Sequence, residues 1–164
     1  MEKNTKSVQK ITPFLWFNDN AEEAMKFYTS IFKDSRIENV SRYPDGGRMP
    51  AGTVMTATFY LNGQEFYVLN GGPGFTFTEA ISFFVKCQTQ EEIDDLWNKL
   101  SGGGNEQQCG WLKDKFGLSW QIVPPVLGEM LGDKDRQKAN RVMQAMLKMK
   151  KIDIPTLKRA YDEK

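Results

Sequence analysis

The hydrophobic pattern opens on a short apolar and aromatic run, Ile11 to Phe17, which reads as a strand buried on both faces. Asp19 and Glu22 follow as a capping-box-like acidic pair, with Asn18 or Asn20 as alternative caps. Ala21, Ala24, Met25, Tyr28, Ile31 and Phe32 then recur at helical spacing, predicting an amphipathic helix that ends near Lys33. Strand-like runs come next, from Arg36 to Tyr43, from Val54 to Leu61 and from Gln64 to Leu69. Between the last two stands Asn62-Gly63, the pair that best supplies the positive φ of a type I′ hairpin turn.

The same order of elements then returns. Ala80 to Val85 is a second apolar strand, and Thr89 and Glu92 form a capping box. Ile93, Leu96, Trp97 and Leu100 mark a helix stopped by Gly102-Gly103-Gly104. Gln107 to Lys113 and Ser119 to Val123 read as strands around a turn at Phe116-Gly117. At one constant offset of 69 residues, Phe14 falls on Phe83, Trp16 on Val85, and Phe27-Tyr28 on Leu96-Trp97. Chance similarity of two amphipathic segments is the competing explanation, and the matching order of elements and turns favours a repeat. Beyond Pro124-Pro125 the chain reads as helical from Leu127 to Lys164, with Asp133 as a cap. Ala139, Val142, Met143, Met146 and Leu147 share one face there, and Asp153 caps a last helix with Pro155 in its first turn.

The expected fold class is therefore α+β. A polar segment over 1–10 precedes one βαβββ module over 11–74, a second over 75–126, and a C-terminal helical extension over 127–164. A four-stranded sheet with one helix covers only one of its faces. Two such sheets can close their open faces on each other around a cleft, the kind of place small ligands occupy.

Composition removes several kinds of chemistry. Lys plus Arg is 22 against 21 for Asp plus Glu, a balance that argues against a nucleic-acid or acidic-membrane partner. Residues 1–10 have no apolar core and so no signal-peptide character, and no apolar run approaches the roughly 20 residues of a membrane span. With Cys87 and Cys109 as its only cysteines, the chain suits a reduced cytoplasmic setting better than a disulfide scaffold. There is no histidine, which excludes Ser-His-Asp, Cys-His and histidine-metal mechanisms together.

Particular motifs also carry a family resemblance. Phe14-Leu-Trp-Phe-Asn-Asp-Asn-Ala-Glu-Glu-Ala-Met-Lys-Phe-Tyr28 resembles the opening strand and helix of vicinal-oxygen-chelate proteins, the glyoxalase/bleomycin-resistance superfamily. Leu69-Asn-Gly-Gly-Pro-Gly, Phe77-Thr-Glu-Ala-Ile-Ser-Phe, and Cys109-Gly-Trp-Leu-Lys-Asp-Lys-Phe-Gly-Leu-Ser-Trp-Gln-Ile-Val-Pro resemble its PhnB-like branch, also named demethylubiquinone methyltransferase-like. The resemblance implies paired modules, a homodimer, and in metal-using members one ligand per quarter of the double module. Those positions fall on Thr12 or Pro13, on Asn70 or Leu69, on Ala80 or Ser82, and on Gln121 in place of the usual glutamate. None offers a carboxylate or an imidazole, so no superfamily-type metal site is expected, and a divalent metal on non-standard ligands is the alternative. The glycine runs open no strand-to-helix cofactor loop, so the methyltransferase activity in the branch's name is not expected either.

The candidate residues each have a plainer reading. Glu79 serves as a general base if burial raises its pKa, or is an exposed strand-end carboxylate. Thr12, Trp16, Asn70, Phe77, Ser82, Trp111, Trp120 and Gln121 are the ligand-binding candidates, the aromatics as walls and the others through polar groups. Core packing competes for the aromatics, a plain sharp turn for Asn70, and a satisfied inward amide for Gln121. The expected function is small-molecule binding in the cleft, with no cofactor. A lyase, isomerase or dioxygenase-type enzyme is the first rival, and a dimeric interaction module the second.

Overall fold

A computed structural model describes residues 9–163, so most of the polar N-terminal segment lies outside the described residues. The chain forms two compact units, Met1–Thr76 and Phe77–Lys164.

In the first unit, β1 (Phe14–Phe17) leads into α1 (Ala21–Ile31), then β2 (Arg36–Arg42), β3 (Val54–Leu61) and β4 (Gln64–Asn70). The sheet order is β1-β4-β3-β2, with β1 parallel to β4 and the other pairs antiparallel. The Asn-Gly hairpin forms as expected, with φ of 49° at Asn62 and 73° at Gly63. Alternation along the strands turns Leu15, Phe17, Phe59, Phe66 and Val68 inward, where they are buried with Ala24, Met25 and Tyr28 of α1. Tyr28 stacks on Phe59 and Phe59 on Phe66, at centroid separations of 6.4 and 5.1 Å. Each such ring buried contributes roughly 1.5–3 kcal/mol.

Two expectations are corrected here. The first strand begins at Phe14 and is buried on one face only, because β1 is an edge strand whose Phe14 is 56% exposed. No Asp19–Glu22 capping box forms: Glu22 pairs with Lys26 and Arg42 at 2.9 Å each, and the N-cap residue Asn20 makes no side-chain cap bond. The cap comes from far along the chain, where Asn70 Oδ1 accepts from the Ala21 N–H at 2.9 Å.

The second unit repeats the plan. β5 (Ser82–Lys86), α2 (Gln90–Ser101), β6 (Asn105–Glu106), β7 (Trp111–Lys113) and β8 (Ser119–Val123) build a sheet of order β5-β8-β7-β6, again with its first and last strands parallel. Thr89 caps α2 by accepting from the Glu92 N–H at 3.2 Å, and Glu92 accepts in return from the Gln88 N–H at 2.7 Å. The helices keep the expected spacing, since Tyr28 and Trp97 are buried at equivalent points. The strands slip by one. Leu15 and Phe17, buried on the helix side, correspond to Val85 and Cys87, and the outward Phe14 corresponds to Phe84. A one-residue slip exchanges the faces of a strand, so pairing Phe14 with Phe83 is overturned.

The expected strand from Gln107 to Lys113 is split. Cys109 and Gly110 have φ of 60° and 83°, a turn that leaves only Trp111–Lys113 extended. The helical extension forms α3 (Pro125–Leu131), α4 (Arg136–Met146) and α5 (Ile154–Asp162). Asp135, not Asp133, caps α4, accepting from the Gln137 and Lys138 N–H groups, while Asp153 caps α5 as expected. The Cys109-Gly110 turn ties the extension down, its N–H groups donating to the Met149 and Lys150 carbonyls at 2.8 and 2.7 Å. Gln90 of α2 adds a clasp, accepting from Ile154 N–H and donating to the Ile152 carbonyl. Among the described residues no helix is long and apolar enough to cross a membrane.

Candidate functional site

The β5-β8-β7 face turned away from α2 presents three neighbouring side chains. Phe84 and Trp111 are the register partners of Gln121 on either side, so an amide stands between two aromatic groups. Phe84 is 53% exposed, unusual for phenylalanine, while its neighbours Phe83 and Val85 turn toward the helix side. Pro125 at the first turn of α3 starts that helix as soon as β8 ends. Leu127 and Leu131 of α3 and Met146 of α4 thereby face the same space as Phe84 and Trp111. The result is a groove of about 730 Å³, within the second unit, also lined by Lys86, Gln88, Cys109 and Val123. That volume lies in the range of small-molecule sites, and the lining is mainly apolar. A second groove of about 640 Å³ between α4 and α5 is lined mostly by polar and charged groups. Its Arg141 is already committed to the Ala160 and Tyr161 carbonyls.

Of the residues singled out from sequence, Trp111 and Gln121 meet in the apolar groove. Gln121 donates from Nε2 to Ser82 Oγ at 2.9 Å, which brings a third candidate beside it and leaves the amide oxygen without a donor in that bond. Trp120 is 2% exposed: its ring packs against Phe83, and its Nε1 donates to Asp114 Oδ2 at 2.8 Å. It is a core residue, held by a buried carboxylate that also accepts from the Phe116 and Leu118 N–H groups. Phe77 is half-buried and lies before β5, outside the groove lining.

The remaining candidates belong to the first unit. Trp16 donates from Nε1 to the Gly72 carbonyl at 2.9 Å and meets Phe75 edge-on at 5.0 Å. Its indole lies so close to Gly71 that a Cβ there would sit 2.1 Å from Trp16 Cζ2. Thr12 Oγ1 donates to Glu65 Oε1 at 3.1 Å. Asn70 is fully buried, capping α1 with its oxygen and donating from Nδ2 to the Val54 carbonyl at 2.9 Å. Both ends of that amide serve the fold.

Glu79 does not meet the condition set for a general base. It is exposed, and Lys113 Nζ at 2.6 Å, with its own backbone and Gln107, holds the carboxyl below its ordinary pKa. Such a group is an anion at neutral pH and a weak proton acceptor. Burial, with a smaller contribution from Glu92, pushes the Cys87 thiol up to about 12, so it stays protonated and unreactive. Among the described residues no group of three His, Cys, Asp or Glu side chains is placed to hold a metal ion.

Sequence reading missed Phe84, Lys86 and the α3 residues as wall-formers. The signal available was the alternation in Ser82-Phe-Phe-Val-Lys86, but it is legible only once the face of the strand is known. It also missed Glu65, which accepts from Tyr60 Oη at 2.7 Å as well as from Thr12; Tyr60 and Thr12 together hold its carboxyl below the ordinary range.

Comparison with known proteins places this geometry. The family described as 3-demethylubiquinone-9 3-methyltransferase matches residues 9–123. A PhnB protein from Bacillus cereus, whose description carries the same methyltransferase name, is 47% identical over 71% of this chain and 99% of its own, with a TM-score of 0.67. A protein from Pseudomonas aeruginosa is 22% identical over 71% of this chain and 97% of its own, at a TM-score of 0.59. The fosfomycin resistance protein FosX from Listeria monocytogenes, solved with Mn(II) and sulfate, is 13% identical over 71% of this chain and 90% of its own, at 0.50. The last two likenesses concern the fold alone. No curated protein gave a significant match. Taken with the two βαβββ modules, these matches establish that the chain belongs to the PhnB-like family, the one described as 3-demethylubiquinone-9 3-methyltransferase.

Proposed function

We propose that this chain binds a small apolar or aromatic molecule in the groove between the outer face of β5-β8-β7 and the α3–α4 segment, without a superfamily-type metal. The observation that carries the reading is the exposed Phe84 beside Trp111 in a mainly apolar space of about 730 Å³. An aromatic side chain left half in water is unfavourable for folding alone, and a bound apolar molecule would remove that surface from water. Most polar atoms at the mapped metal positions are drawn into the protein's own bonds, though Gln121 commits only its amide nitrogen. Thr12 turns to Glu65, Asn70 to α1 and β3, and Gln121 to Ser82. Neutral oxygens of this kind bind transition ions poorly. Pairing of two copies is part of the same proposal, with the exposed Met143 of α4 and Leu147 just after it as contact.

A thermal-shift screen with aromatic metabolites and drugs tests the reading. A compound at a hundredfold excess over its Kd stabilises the native state by about 2.7 kcal/mol. Expected is at least one compound class that raises Tm and loses its effect in Phe84→Ser. A panel that leaves Tm untouched, or a stoichiometric transition metal in the purified protein, would overturn it.

A further inference from the structure

The family match ends at Val123, and the groove's outer wall begins at Pro124. Residues beyond Val123 therefore supply nearly half of the lining. Within that wall stands Gly128, inside the short helix α3. Glycine is the poorest helix former after proline. Its φ is not in the left-handed region, so the backbone does not require it. A Cβ at that position would meet nothing within 4 Å, so no neighbour requires it either. What the glycine preserves is room, on a residue that lines the groove.

The groove's charge is one-sided. Among the described residues Lys86 is its one cation, and no Asp or Glu lines it. Lys86 follows Phe84 by two positions on the same strand face, about 7 Å along the strand. The ammonium is therefore carried beside the aromatic floor, where it can pair with an acidic group on the edge of a bound ring.

From these observations we infer that the groove takes a flat aromatic anion, an aryl carboxylate or its equivalent, with the ring on the Phe84–Trp111 floor under Gly128 and the charge at Lys86. The inference rests on the groove being a ligand site and adds the chemical class. Gly128 and Lys86 are its specificity-determining residues, the first by volume and the second by charge.

Three probes with one ring and different heads test it: 2-naphthoate, 2-naphthalenemethanol and 2-naphthylmethylammonium, titrated calorimetrically into the full chain. Expected is naphthoate binding at least fivefold tighter than the alcohol, with the ammonium weakest, and a loss of the naphthoate advantage at high salt. Lys86→Gln should erase the preference of naphthoate over the alcohol. Gly128→Leu should weaken naphthoate and the alcohol tenfold or more. Gly128→Ala, which favours the helix and adds little bulk, should fold with an equal or higher Tm and serves as the control for folding. Equal binding of naphthoate and the alcohol, or unaltered binding in Gly128→Leu, would overturn the inference but leave the groove as a site. Failure of every naphthyl probe together with a silent broad screen would instead remove the underlying reading.

Discussion

Replacing Asn70 by leucine separates a structural role from a ligand-binding one. The side chain is of similar size, so the space stays filled, but both hydrogen bonds go. The Ala21 N–H at the start of α1 and the Val54 carbonyl of β3 are left unpaired in a site where Asn70 itself is 0% exposed. An unsatisfied buried group costs about 1–3 kcal/mol, so the two together should cost about 2–6 kcal/mol. For a chain of this size each kcal/mol moves Tm by roughly 2–4 °C, which places the expected fall near 8–16 °C for a mid-range loss. Asn70→Asp sharpens the test. Its carboxylate still accepts from Ala21 N–H, favourably placed at a helix N-terminus, but its second oxygen now faces the Val54 carbonyl. Protonation restores a donor there, so the deficit of this variant relative to the parent should shrink as pH falls. Thermal and urea unfolding at pH 7 and pH 5 measure both effects. A leucine variant within 2 °C of the parent would refute the reasoning, as would an aspartate variant whose deficit does not depend on pH.

Two further outcomes follow from other networks. Asp114→Asn turns an amide N–H₂ toward the Trp120 Nε1–H or toward the Phe116 and Leu118 N–H donors, so it should destabilise by about 2–3 kcal/mol, read as a lower urea midpoint, and a neutral result would contradict the buried-acceptor role. Glu22 is held at about 2 by Arg42 first and Lys26 second, below its ordinary 4.5, so its contribution is present above about 4.5 and lost as pH falls toward 2. Because its side chain is 36% exposed, solvent screening limits that contribution to about 1 kcal/mol or less. Glu22→Gln should be less stable than the parent at pH 7 and converge with it near pH 2, and a gap that is constant with pH would rule the ion pairs out.

The sequence alone determined what local physics decides. Asn62-Gly63 can adopt left-handed φ at low cost, so the hairpin is written in two residues. The helical period of Ala24, Met25 and Tyr28, and of Ile93, Leu96 and Trp97, names the buried face of each helix without any partner being known. The family motifs, and the absence of histidine, were equally readable. Tertiary structure decided what depends on distant pairing. The cap on α1 comes from Asn70, 49 positions beyond Ala21, and no local pattern reveals it. The faces of β1 and β5 hinge on a slip of one residue, which periodicity does not resolve in strands of four and five residues. That slip decides whether Phe83 or Phe84 lines the groove. The groove itself arises only because the Cys109-Gly110 turn and Gln90 fasten residues 149–154 to the second module, placing α3 and α4 beside a sheet face that the sequence could only describe as open.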